Sequence, residues 1–198
     1  MIGNSNAQNS LATRAGYKAK HFTSKDVFPQ TIQIARDVAT SLQDLSTRGF
    51  QNHAQKLRHF SQAKSNRKEE SLLALVCGTV CEAVQRLLGF KLFDEQLMAG
   101  AAVSMGATVE MQTGEGKTLA LAIPACYHAL TGHAVHVVTS NHYLAGRDCR
   151  LLKPVFDLMQ LSVGLLVEDA TVDEKRCAYD ADLTYGPAHA FGFDYLSD

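Results

Sequence analysis

Apolar residues recur at helical spacing from Thr31 to Phe60, with Ile34, Val38, Leu42 and Leu45 followed by Phe50, Leu57 and Phe60. This spacing predicts two amphipathic helices with a break near Gly49. The run "SQAKSNRKEE" is a solvated connector, and Ser71 to Leu88 reads as one apolar helix that Gly89 closes. After that glycine the pattern changes. "ATVEM", "HAVHVVT", "LSVGLLV" and "ADLTYG" are short strand-like runs. Helical stretches over Lys117 to Thr131, Tyr143 to Met159 and "VDEKRCA" lie between them. Strands alternating with helices predict an α/β fold whose parallel sheet carries helices on its faces.

This pattern divides the chain into a poorly ordered segment over 1–30, a helical N-terminal region over 31–70 and an α/β domain over 71–198. The first segment carries Arg14, Lys18, Lys20 and Lys25 against Asp26 alone and has no apolar signal core. It reads as a disordered basic tail, with a lipid-surface contact or an organellar targeting piece as the alternative. The longest apolar run is taken to be "LALAIPACYHAL", interrupted by Pro124 and His128. A spanning helix needs roughly 20 apolar residues, so no membrane crossing is expected.

Composition adds little. The 198 residues hold 19 basic and 20 acidic side chains, a formal charge of -1, so no overall field draws the chain to a polyanion. Five cysteines, at 77, 81, 126, 149 and 177, form neither a C-x-x-C pair nor a zinc spacing. They read as reduced thiols, and Cys77 and Cys81, four apart, as small core residues sooner than a redox pair or half a metal site. His133 and His136 fall in one expected strand and point to opposite faces, which denies them a shared metal. Asp180, Asp182 and Asp194 are explained by turns and caps.

The chemistry concentrates in Gly114-Glu115-Gly116-Lys117-Thr118, between an expected strand and an expected helix. A phosphate-binding loop needs inward backbone N–H groups, a helix N-terminus behind them and a cation reaching the outer phosphates. Gly114 and Gly116 permit the tight turn, Lys117 would reach the β and γ phosphates, and Thr118 would ligate Mg²⁺. The strict pattern G-x-x-x-x-G-K-[ST] fails once, because Met111 stands where its first glycine belongs.

The stretch "EMQTGEGKTLALAIPACYHALTGHAVHVVTSNHYLAGRD" resembles the first nucleotide-binding domain of the SecA family, the ATPase motor of the bacterial preprotein translocase. Met at the first position of the loop is itself a point of match. "LGFKLFDEQLMAG" resembles the family's upstream segment, which implies that Gln96 reads the adenine edge. "TSNHYLAGRD" and "LTYGPAHAFGFDYLSD" resemble two further family stretches, the second written T-Y-G-T-N-N-E-F-G-F-D-Y-L-R-D there. Agreement runs from about Leu72 to Asp198, with a weaker echo over "LSTRGFQNHAQKLRHF" and none recognised in residues 1–30.

The resemblance implies an incomplete RecA-like P-loop NTPase domain that takes ATP and Mg²⁺ through Gln96, Gly114, Glu115, Gly116, Lys117 and Thr118. It implies work with the SecYEG channel and preproteins, in the cytoplasm and peripheral to the inner membrane; an anionic lipid surface is a candidate further partner, and nucleic acid is unsupported. Departures fall at His142, where the family has Asp, at Gly146, where it has Lys, and at Pro187 to Ala190, which replace T-N-N-E. They bear on the coupling of nucleotide to conformation. The family's Walker B carboxylates and its arginine finger are not among these residues, and a missing finger alone costs about 10³ to 10⁵ in rate. The expectation is therefore a chain that binds ATP but hardly hydrolyses it, as a fragment or a truncated product. A RecA-like helicase domain acting on nucleic acid and a non-enzymatic remnant are the alternatives.

Overall fold

The computed structural model describes residues 29–63 and 69–197. The expected basic tail lies outside them except for its last two residues, as does the middle of the connector.

Helix α1 (Pro29–Leu42) opens on a proline, whose missing N–H costs nothing in a first helical turn. Helix α2 (Thr47–Gln62) starts earlier than its glycine suggests, because the Ser46 side chain accepts the Gly49 N–H and caps it. The chain break is thus at 43–46, and Gly49 lies in the first helical turn. Helix α3 (Glu69–Leu88) ends at Gly89, whose φ of +73° is the left-handed C-terminal conformation expected of it.

The buried face of α1 keeps Val38 and Leu42 of the expected stripe but leaves Ile34 out. Ala35, Ala39 and Leu42 are buried, while Ile34 is exposed. The cause lies on α3, where Gly78 meets α1 so closely that an added Cβ would fall 2.5 Å from the Ala35 carbonyl oxygen and 2.7 Å from the Val38 Cβ. Small residues line this crossing because the two backbones nearly touch.

Residues Glu70–Leu88 of α3 are apolar and long enough, by composition, to cross a membrane, a stretch longer than the run singled out from the sequence. In the fold 61% of its most apolar window is buried, which is the situation of a core helix. Its Leu73, Val76, Cys77, Val80 and Val84 join one apolar cluster that runs from Ala35 to Tyr185.

Beyond α3 come α4 (Asp94–Ser104), α5 (Lys117–Ala120), α6 (Ala122–Leu130), β1 (Val135–Thr139), α7 (His142–Leu158), β2 (Val163–Leu165), α8 (Val172–Tyr179), β3 (Leu183–Pro187) and α9 (Ala188–Ser197). The strands form a parallel sheet in the order β1-β3-β2. Val135 and Val163 both stand opposite Leu183, and Val137 and Leu165 opposite Tyr185. All five β3 residues are buried, as befits the central strand of a covered parallel sheet. This is the expected α/β architecture of a partial RecA-like domain, preceded by helices.

Two expectations fail locally. "ATVEM" forms no strand, since a strand exists only as a ladder and no described strand lies beside 107–111. The helix expected from Lys117 to Thr131 is interrupted at Leu121, because Pro124 has no N–H to offer the carbonyl of Ala120. Leu121 keeps helical angles, φ −69° and ψ −16°, so α5 and α6 follow one another with a single break.

His133 precedes β1 and contacts Thr131 and His128, whereas His136 lies in β1 and stacks on Phe191 at 4.5 Å. The pair does not meet. Asp182 accepts from Arg58, the Ser162 amide and the Ser162 hydroxyl, tying α2 and the entry to β2 into the turn before β3. Asp194 accepts from Lys175 and Tyr179, which holds α9 to α8.

Candidate functional site

The glycine cluster forms a tight turn over 113–116, directly before α5. Gly114 and Gly116 have φ of +92° and +77°, values that side-chain-bearing residues rarely adopt. Gly116 is also crowded, since an added Cβ would collide with the Gln96 amide nitrogen. Both glycines are therefore required by the backbone path.

Gln96, buried in the first turn of α4, accepts the Phe93 N–H through Oε1 at 2.9 Å and donates through Nε2 to the Glu115 carbonyl at 2.8 Å. Its amide therefore clasps the loop to the start of α4. Within the loop the Glu115 carboxylate accepts the Gln112 N–H at 2.6 Å, and the Lys117 ammonium donates to the Met111 carbonyl. The lysine is folded back over its own loop, on a neutral acceptor. Met111, the residue at the position where the general motif has glycine, thus supplies the carbonyl that parks it.

The Thr118 hydroxyl points toward Asp148 on α7, at 3.5 Å from Oδ2. The other carboxylate oxygen of Asp148 accepts from Arg147 Nε at 2.8 Å. Asp148 was not singled out from the sequence. Thirty residues separate it from Thr118, and only the packing of α7 brings them together.

Beside the loop opens a cavity of about 910 Å³, of the size that holds small ligands. Its walls include Phe90, Phe93, Met98 and Leu119 together with Gln96 and the glycine loop. Phe90 and Phe93 are 52% and 67% exposed, an unusual state for two aromatic rings lining one cavity. The chamber is thus apolar along Phe90, Phe93, Met98 and Leu119 and polar where Gln96 and the glycine loop border it.

The sequence matches the SecA DEAD-like domain over residues 15–198. The chain belongs to that family. The match reaches back to residue 15, further than the motifs alone suggest. Proteins named protein translocase subunit SecA are 40% identical over 170 residues in Syntrophomonas wolfei, 44% over 144 in Alcanivorax borkumensis and 48% over 129 in Carboxydothermus hydrogenoformans. These alignments cover 85%, 72% and 65% of this chain and 20%, 16% and 15% of the relatives. The chain thus spans a fifth or less of their length.

Two departures from the family pattern meet in space. The His142 and His189 rings stand edge to face at 5.3 Å, and His142 Nδ1 lies 3.1 Å from the Leu166 carbonyl. Among the described residues no group of three His, Cys, Asp or Glu side chains is placed to hold a metal. All five cysteines are free, and burial pushes the Cys77 thiol up to about 12.

Proposed function

We propose that this chain is the ATP-binding segment of a SecA-type motor. The observation that carries the reading is the loop itself: two left-handed glycines, a lysine on a neutral carbonyl and the Gln96 clasp, beside an apolar cavity, in a chain of this family.

The resting contacts suggest how phosphate is received. The Lys117 ammonium gives up the Met111 carbonyl for an anionic oxygen, and charge-assisted hydrogen bonds are roughly twice as strong as neutral ones. Backbone N–H groups at such a turn before a helix favour an anion, although the Glu115 N–H is already donated to the Gln112 carbonyl at 3.3 Å. Gln96 holds Glu115, so adenine contact by this side chain requires its remaining N–H and lone pair or a release of the loop.

Magnesium takes hard oxygen donors and keeps several waters. The Thr118 hydroxyl is such a donor, and the Asp148 carboxylate beside it can accept from retained water, so the residues fit the ion. Bound with ATP, magnesium would neutralise phosphate charge.

In the whole protein we infer that this segment couples ATP hydrolysis to the movement of preproteins through a SecYEG channel, at the cytoplasmic face of the inner membrane and in contact with anionic lipid. The family match speaks against the nucleic-acid helicase alternative. Titration calorimetry with Mg-ATP on the chain and on Lys117→Ala tests the binding step. A charged hydrogen bond contributes about 1.5–3 kcal/mol, so the substitution is expected to weaken binding roughly 10- to 150-fold. A folded wild type that takes no ATP would overturn the reading.

A further inference from the structure

The Thr118 hydroxyl faces a carboxylate that the glycine-loop motif does not include. Asp148 sits on the second turn of α7, and its side chain is only 16% exposed. One oxygen is clamped by Arg147, which supplies both Nε and a terminal nitrogen at 2.8 Å. That clamp leaves the second oxygen aimed at Thr118. At 3.5 Å the pair is too long for a good O–H···O bond, yet it leaves an anionic oxygen standing next to the hydroxyl proposed to face Mg²⁺. A mostly buried carboxylate is costly unless something positive faces it, and Arg147 meets only half of this one.

We propose that Asp148 is a positioning residue for the magnesium ion that accompanies ATP: held in place by Arg147, it orients the Thr118 hydroxyl and accepts hydrogen bonds from the ion's water shell. This rests on the ATP reading of the loop. The chemistry follows from the ion, which binds through few protein groups and retains waters that need acceptors. Outer partners of this kind tune metal affinity by about 10- to 100-fold. It also makes α7 a reporter of the loaded site, since the group that answers the ion lies on that helix and not on the loop.

The test is ATP affinity measured by calorimetry with saturating Mg²⁺ and again in EDTA, on the full chain, for wild type, Lys117→Ala, Asp148→Asn and Asp148→Glu. Thermal melts check folding of each variant. In wild type Mg²⁺ is expected to tighten ATP binding. In Asp148→Asn that enhancement should fall roughly tenfold while affinity in EDTA is kept or slightly improved, because a negative charge beside the phosphates is gone. Asp148→Glu should fall between the two, and this partial rescue separates an electrostatic role from simple packing. If Asp148→Asn does not fold, the Asp148→Glu enhancement decides alone, and it must differ at least about threefold from wild type.

An unchanged enhancement in a folded Asp148→Asn overturns the proposal and leaves ATP binding intact. ATP binding that is lysine-dependent but indifferent to Mg²⁺ in wild type does the same. Absence of ATP binding by wild type in both conditions overturns the loop reading and the proposal together.

Discussion

The Gln96 side chain donates to the Glu115 carbonyl at 2.8 Å, so the glycine loop is held from outside by the first turn of α4. The loop is a two-part structure: a local turn, and a clasp from nineteen residues upstream. What disturbs the clasp should disturb the loop.

Gly116→Ala is the sharpest way to disturb it. The new Cβ meets the Gln96 amide and is forced to a φ of +77°, in the left-handed region. Such strain costs of order 1–3 kcal/mol, which for a chain of this size lowers the melting temperature by roughly 2–12 °C. A melt within 1 °C of wild type would show that the clasp is slack.

The crossing of α1 over α3 tolerates no side chain at Gly78. Gly78→Ala places a methyl against the Ala35 carbonyl and the Val38 side chain. Overpacking of a tight contact costs about 1–3 kcal/mol. Chemical denaturation is expected to show a lower midpoint with an unchanged slope.

Asp182 ties α2 to the sheet and should give stability an acid limb. Burial alone would raise its carboxyl, but the Ser162 amide, the Arg58 guanidinium and the Ser162 hydroxyl together hold it below the usual carboxylate range. A group lowered in the folded state contributes stability that is present above its unfolded pKa, about 3.9, and is lost as pH falls through the folded value. Stability measured from pH 7 downward should therefore fall below roughly pH 4, and Asp182→Asn should flatten that fall while lowering stability at neutral pH. Parallel profiles for the two proteins would refute this assignment.

Thiol labelling reports the packing around the cysteines. Cys177 is exposed, while Cys77, Cys81, Cys126 and Cys149 are buried. Burial raises all four buried thiols, and the thiolate is the reactive species. A disulfide reagent at pH 8 should modify Cys177 rapidly and the others only as the fold opens, and Cys177→Ser should remove the fast phase.

Much of this molecule is written locally. The glycine end of α3, the helix across His142 to Leu158 and the turn at Gly114 to Gly116 depend on hydrogen bonds and backbone angles within a few residues, which residue type and spacing report directly. The alternation of short apolar runs with helical stretches also announced a parallel sheet, because a helix between two strands returns the chain to run parallel to itself. The motifs that carry the family resemblance were legible because each is a short contiguous run of residues.

Tertiary structure decided what depends on distant partners. Residues 107–111 have strand-like composition but, among the described residues, no ladder beside them. Ile34 has the size of a core residue but yields its place to Ala35, because a glycine on another helix brings two backbones together. The same holds at the site. Lys117 and Thr118 could be named from the loop alone, yet the groups they face, the Met111 carbonyl and Asp148, are set by the closing of the loop and the packing of α7. Sequence by itself determined which chemical groups this protein has and which turns and helices display them. Which of those groups meet was settled by packing, since a side-chain contact across thirty residues leaves no periodic trace in the chain.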